Sequence, residues 1–154
     1  VTENPLEAIH IQQITQMYEA EARKLILKGL EERFGFIDAT CNPDLESILH
    51  SYSQEKTIFL IGVYRGEVNC TGAITYETAE VGRVERVSVV RKYRRTGLAK
   101  KMMDSLETWA KRQDYRQLVL ETNNDWYSAI KFYENRHYNL YLNDGSCSHF
   151  EKIL

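Results

Sequence analysis

Apolar residues in the second half of the chain switch from an extended to a helical period within a few positions. Between 82 and 90, the β-branched Val84, Val87, Val89 and Val90 predict a strand. Leu98, Met102, Met103, Leu106, Trp109 and Ala110 then recur at i, i+4, i+5, i+8, i+11 and i+12, one face of an amphipathic helix. A short strand follows at 117–122, and Tyr127, Ile130 and Tyr133 give a stripe at i, i+3, i+6. In the first half, Ile9, Ile14, Met17, Tyr18, Ala22, Leu25, Ile26 and Leu30 predict a helix or a broken pair over about 9–33. Asn42-Pro43-Asp44 reads as the cap of a second helix reaching Tyr52, with Pro43 in its first turn. The nearly continuous apolar run at 57–64 predicts a strand buried on both faces. Arg65-Gly66 is a two-residue hairpin turn, and 68–76 returns as the partner strand. With no repeat, low-complexity tract or linker composition, residues 1–154 are expected to form a single domain.

Composition narrows the partners. A chain of 154 residues is long enough to bury a real core, and a formal charge of −2 argues against nucleic acid as the main ligand. Cys41, Cys70 and Cys147 lack paired spacing, so free thiols and a cytoplasmic location are expected. No apolar run approaches the ~20 residues of a membrane span. His10, His50, His137 and His149 form no metal-spaced set, so no metal is expected.

The segment Arg94-Arg95-Thr96-Gly97-Leu98-Ala99 joins the 82–90 strand to the amphipathic helix. Unpaired N–H groups of a first helical turn, together with the helix dipole, favour an anion there. Gly97 has no Cβ to block the approach of a phosphate, and Arg94 and Arg95 add forked donors. That chemistry suits a diphosphate. The ATP-type string G-x-x-x-x-G-K-[ST] and the dinucleotide string G-x-G-x-x-G are both absent.

The spacing R-x-x-G-x-A, Arg94 to Ala99, resembles the pyrophosphate loop of the GNAT superfamily of acyl-CoA-dependent N-acetyltransferases. Ser128-Ala129-Ile130-Lys131-Phe132-Tyr133-Glu134-Asn135 is similar to that family's second motif, on the helix after the fifth strand. The two motifs and their separation cover about 82–142. The resemblance implies an α/β (α+β) GNAT-type fold. Its central mixed, mostly antiparallel sheet would have about six to seven strands, ending in a pair at 138–142 and 148–153, flanked by about four helices. It implies acetyl-CoA as co-substrate, and Arg94, Arg95, Thr96, Gly97, Leu98 and Ala99 as its phosphate cradle. Four positions depart from the family pattern: Arg91 stands where Pro is common and Arg95 where Gly is common. Trp126 stands where Asn is frequent, leaving Asn124 or Asn123 to make that contact. His137 replaces the helix-ending Gly, so that turn is expected to be built differently.

Acetyl transfer requires a neutral amine, a polarised thioester carbonyl and a proton for the departing thiolate. The apolar positions of the 82–90 strand change parity between Val84 and Val87, which fits either a β-bulge or burial on both faces. The resemblance favours a bulge, with the backbone of Val87, Ser88 and Val89 binding the acetyl-pantetheine arm. It also makes Tyr133 the general acid, although its spacing taken alone favours core packing. Glu85 is the general-base candidate, set against a plain ion pair with Arg83 or Arg86. The function expected is transfer of acetyl from acetyl-CoA to a primary amine, small molecule or peptide, in a ternary complex. The alternatives are a non-catalytic acyl-CoA-binding module of the same fold and a phosphate-binding protein of another fold. The acidic residues Glu19, Glu21, Glu31, Glu32, Asp38, Asp44 and Glu46 suit a cationic acceptor and equally an ordinary helical surface. Oligomeric state is left open, a homodimer included.

Overall fold

The apolar run at 57–64 becomes β2 (Ile58–Tyr64), and Arg65 and Gly66, both at positive φ, turn the chain into β3 (Glu67–Thr78). Two consecutive left-handed residues give the turn the twist a two-residue hairpin needs. Around this hairpin lie α1 (Pro5–Ala8), β1 (His10–Gln13), α2 (Glu19–Phe34) and α3 (Ile48–Ser51). Beyond it follow β4 (Val81–Val89), α4 (Leu98–Arg112), β5 (Gln117–Asn123), α5 (Tyr127–Asn135), β6 (Asn139–Asn143) and β7 (Cys147–Ile153). The computed structural model describes residues 5–35 and 42–154, so Asp38 and Cys41 lie outside the described residues. Seven strands form one sheet in the order β1-β2-β3-β4-β5-β7-β6, antiparallel throughout except for β4 and β5. The architecture is a mixed α/β sheet with helices on both faces.

Alternation along β2 divides the core. Ile58 and Leu60 point to the face covered by α4, where they meet Met102, Met103, Leu106, Leu118 and Phe150. Phe59 and Ile61 point to the other face, where Ala22 and Ile26 of α2 and Ile48 of α3 close a second cluster. Gly72 is where α4 comes closest to the sheet. A Cβ there would stand 2.8 Å from both Leu106 Cδ1 and Met102 Cγ.

Two expectations from the apolar spacing are corrected. Residues 10–13 are strand, not helix: Ile9 packs on the α4 face and Ile14 on the α2 face, which an extended segment along the open edge of β2 achieves. The edge's unpaired backbone groups override the helical spacing. The helix expected from Pro43 to Tyr52 is broken. A 3₁₀ turn (Pro43–Leu45) stops short, and α3 restarts at Ile48. Arg23 of α2 donates to the carbonyl oxygens of Leu45 and Glu46, meeting backbone needs that a continuous helix would have met itself.

A buried polar network fixes α5 against α4. Glu107 of α4 accepts hydrogen bonds from Arg136 Nη2 (2.9 Å), the Tyr138 hydroxyl (3.0 Å) and Lys152 Nζ (2.8 Å). Burial works against the Glu107 carboxylate, but the Lys152 and Arg136 hydrogen bonds outweigh it and hold its pKa below the ordinary value.

Candidate active site

Between β4 and α4 the chain makes a 3₁₀ turn (Arg91–Tyr93), then two left-handed residues, Arg95 at φ 63° and Gly97 at φ 96°, before α4 begins. The first helical bond runs from Lys101 N–H to the Gly97 carbonyl. The N–H groups from Arg95 to Lys100 therefore donate to no protein acceptor among the described residues. Successive free N–H groups in turns with left-handed residues form concavities of the kind that suit an anion. The basic side chains around it differ in availability. Arg94 pairs with Glu32 of α2 at 2.6 Å and donates to the Val89 carbonyl at 3.2 Å. Lys101 is tied to the carbonyl oxygens of Leu6 and Ile9. Arg95 is exposed and has no acid within ion-pair distance among the described residues.

The strand leading into this loop is bulged. Thr71 pairs with Ser88 and Ala73 with Glu85, so two steps on β3 match three on β4. Arg86 sits in the extra step at φ 55°. Val84 packs in the α4-side cluster, and so do Val87 and Val89, so the parity of the strand reverses across Arg86. On the other side, β4 pairs with β5 only from Val81 to Arg83. From Val84 onward the two strands part, leaving a wedge-shaped opening through the sheet.

A polar clamp holds the bulge. Arg86 Nη2 and Nε donate to the two oxygens of Asp44 at 2.7 and 3.0 Å. The Tyr52 hydroxyl donates to the same carboxylate at 2.6 Å, and Thr71 Oγ1 donates to the Arg86 carbonyl at 2.7 Å. Burial opposes the Asp44 charge, but the Arg86 and Tyr52 hydrogen bonds prevail and lower its pKa.

Tyr133 enters from α5, buried in the α4-side cluster that Val87 and Val89 pack against. Its ring meets those of Phe132 and Tyr138 edge-on at 5.1 and 5.6 Å. No protein group hydrogen-bonds its hydroxyl among the described residues. Burial pushes its pKa up to about 12, so the phenol keeps its proton at neutral pH. The turn after α5 corrects the expectation for His137. His137 itself adopts the left-handed conformation, at φ 70°, and its N–H bonds the Glu134 carbonyl while Tyr138 N–H bonds the Tyr133 carbonyl. This is the glycine-type helix cap made by histidine.

On the opposite face of the sheet a cleft of about 460 Å³ opens beside the bulge, lined by Asp44, Tyr52, Thr75, Arg83, Glu85 and Glu121 among others. Neither arginine neighbour claims Glu85. Arg83 binds Glu77 at 2.8 Å and Arg86 binds Asp44. Among the described residues Glu85 hydrogen-bonds only with the hydroxyls of Tyr52 and Thr75, each at 3.4 Å. Burial, only partly offset by Arg86, raises its pKa above the ordinary carboxylate value.

A profile of the Acetyltransferase (GNAT) family matches residues 14–138. The chain belongs to the GNAT acetyltransferase family. A GNAT acetyltransferase of Staphylococcus aureus Mu50 shares 23% identity over 96% of this chain and 99% of its own, with a TM-score of 0.86. The PaiA N-acetyltransferase of Thermoplasma acidophilum, solved with coenzyme A, superposes with a TM-score of 0.83 at 14% identity, covering 95% of this chain and 99% of its own. An aminoglycoside 6'-N-acetyltransferase complexed with coenzyme A does so with a TM-score of 0.76 at 10% identity, over 94% and 96%.

Within this GNAT chain, residues 94–99 form the turn into α4 and its first residues, Val87 to Val89 lie beyond the last β4–β5 pair, and Tyr133 and Glu85 lie on opposite faces of the sheet. Asn124 Nδ2 donates to Asn143 at 3.0 Å and its Oδ1 accepts from Ser148 at 2.6 Å. Asn123 accepts from the Asp125 N–H. Trp126 packs on Phe34 at 5.4 Å and under the Arg33 guanidinium at 4.3 Å, joining the end of α2 to the start of α5. Sequence reading missed the clamp of Asp44, Tyr52 and Arg86 and the place of Glu121 on the cleft wall. The parity change at 84–87 was the one signal near them. Among the described residues, no helix is long and apolar enough to cross a membrane and no group of His, Cys, Asp and Glu is placed to hold a metal.

Proposed function

We propose that the protein transfers the acetyl group of acetyl-CoA to a primary amine by direct attack in a ternary complex. The observation that supports this reading is the parting of β4 from β5 beyond Arg83, beside the bulge and next to the cleft that Glu85 lines. In this reading the diphosphate lies on the free N–H groups of residues 95–100, with Arg95 as the available side-chain donor. The pantetheine arm runs along the unpaired edge of Val87 to Val89. A backbone N–H of that edge polarises the thioester carbonyl, the fixed-donor arrangement that stabilises a developing oxyanion.

The amine reaches the carbonyl carbon from the Glu85 side. Its surplus proton leaves to Glu85, directly or through water, and the raised pKa of that carboxyl narrows the gap to the ammonium. The C–N bond forms and the C–S bond breaks. The thiolate takes a proton from Tyr133, which regains one from solvent. Thiol release measured with a panel of primary amines tests the proposal. Amine-dependent release supports it. Acetyl-CoA binding without release under any amine would identify a binding module instead.

A further inference from the structure

Arg83 and Val119 are the last paired residues of β4 and β5. Two positions further along each strand stand Glu85 and Glu121, and the two-residue period of a strand puts both on the face of Arg83. The strands have parted by then, so the two carboxylates stand on opposite walls of the opening, and both line the cleft. The other charges of the cleft are already spent. Asp44 neutralises Arg86 at 2.7 Å and Glu77 neutralises Arg83 at 2.8 Å. Among the described residues Glu85 has only hydroxyls as hydrogen-bond partners. Glu121 feels the charge of Arg83, which Glu77 already pairs, and has His149 Nδ1 at 3.6 Å, but the same imidazole lies 2.9 Å from Asp144, so even a protonated His149 serves two carboxylates. The cleft keeps surplus negative charge on both walls.

Resting on the amine-acetylation reading, we infer that the acceptor is a diamine: one amino group reacts at Glu85 while a second, still protonated, is held at Glu121. A monoamine answers only one of the two walls. Once it gives up its proton at Glu85, Glu121 still has only cations it shares with Glu77 and Asp144. A second ammonium supplies an unshared cation without taking part in the chemistry. Paired strands stand ~4.8 Å apart and these have separated, so the two nitrogens must lie more than about 5 Å apart, a span of roughly four methylenes or more.

The test compares kcat/KM for α,ω-diamines of increasing length with amino alcohols of equal length, which replace the second ammonium by a neutral hydroxyl. The inference expects the best diamine to exceed its amino alcohol by about 10-fold to 100-fold, the range of a charge-assisted hydrogen bond. It also expects Glu121→Gln to bring that ratio below about 3. Glu121→Gln is a near-isosteric change on a half-exposed side chain, and its melting temperature checks that it folds. A ratio near 1 in the wild-type protein, or one that survives Glu121→Gln, overturns the inference. Calorimetric titration of the diamine into the protein with coenzyme A bound gives a second readout that needs no turnover. Diamine binding lost in Glu121→Gln supports the ammonium contact at Glu121 even where thiol release fails for every amine and the acetyl-transfer reading falls, whereas no diamine binding overturns the inference. Release from monoamines without diamine preference sinks the inference and leaves the acetyl-transfer reading standing.

Discussion

Removing the Asp44 carboxylate should cost the fold more than its partly exposed position suggests. Asp44→Ala takes the acceptor from three donors at once, the two Arg86 nitrogens and the Tyr52 hydroxyl. Breaking a fully buried ion pair from one side costs 3–5 kcal/mol. Here the two side chains are 19% and 27% exposed, so solvent recovers part of that, and about 2–3 kcal/mol is expected. At roughly 2–4 °C per kcal/mol for a domain of this size, melting should fall by about 4–12 °C. A second substitution separates the clamp from generic damage. Arg86 is held at φ 55°, a conformation costing a non-glycine residue roughly 1–2 kcal/mol. Replacing it by glycine removes both this strain and the stranded guanidinium. Asp44→Ala/Arg86→Gly should therefore be more stable than Asp44→Ala by about 1 kcal/mol or more, in urea unfolding with unchanged m-values. A double variant no more stable than Asp44→Ala would refute the claim that Asp44 serves Arg86. The pH dependence has a defined sign. Asp44 has a lowered folded pKa, so its contribution is present above the unfolded carboxylate value and lost as pH falls through the lower folded value.

Tyr133→Phe should lower kcat by ~10² with little change in acetyl-CoA affinity, and a variant keeping nearly full kcat would remove the phenol from the chemistry. Glu85→Gln should abolish the acidic limb of the kcat/KM profile, which in the wild-type protein is expected above the ordinary carboxylate range. The same variant should melt higher at neutral pH: a carboxyl whose folded pKa is raised stabilises below its unfolded value and loses that contribution as pH rises through the folded one. His137→Gly should stabilise the protein by up to about 1 kcal/mol in thermal unfolding, because a left-handed cap suits glycine.

Local periodicity carried the second half of the chain well. The strand at 82–90, the helix from Leu98 and the strand at 117–122 stand within a residue or two of where their spacing put them. The parity change between Val84 and Val87 was legible as a bulge or as two-sided burial, and the register against β3 decides for the bulge. What stayed hidden depends on pairing between distant segments. Residues 10–13 are strand because β2 offers them an edge, and no window centred on Ile9 contains β2. Asp44 reaches Arg86 across 42 positions, and Glu121 faces Glu85 only because β4 and β5 part where they do. His137 was misjudged for another reason. Its left-handed φ is costly, but two backbone hydrogen bonds and the burial of Tyr138 compensate locally.

The central claim is that residues 94–99 and the parted strands hold acetyl-CoA, and thermal unfolding with that ligand tests it most directly. At about 100 times its Kd, acetyl-CoA should add ~2.7 kcal/mol and raise the melting temperature by about 5–10 °C, while ATP and NAD, adenine nucleotides without the pantetheine arm, should not match it. No shift at millimolar acetyl-CoA, or an equal shift with ATP, would contradict the account.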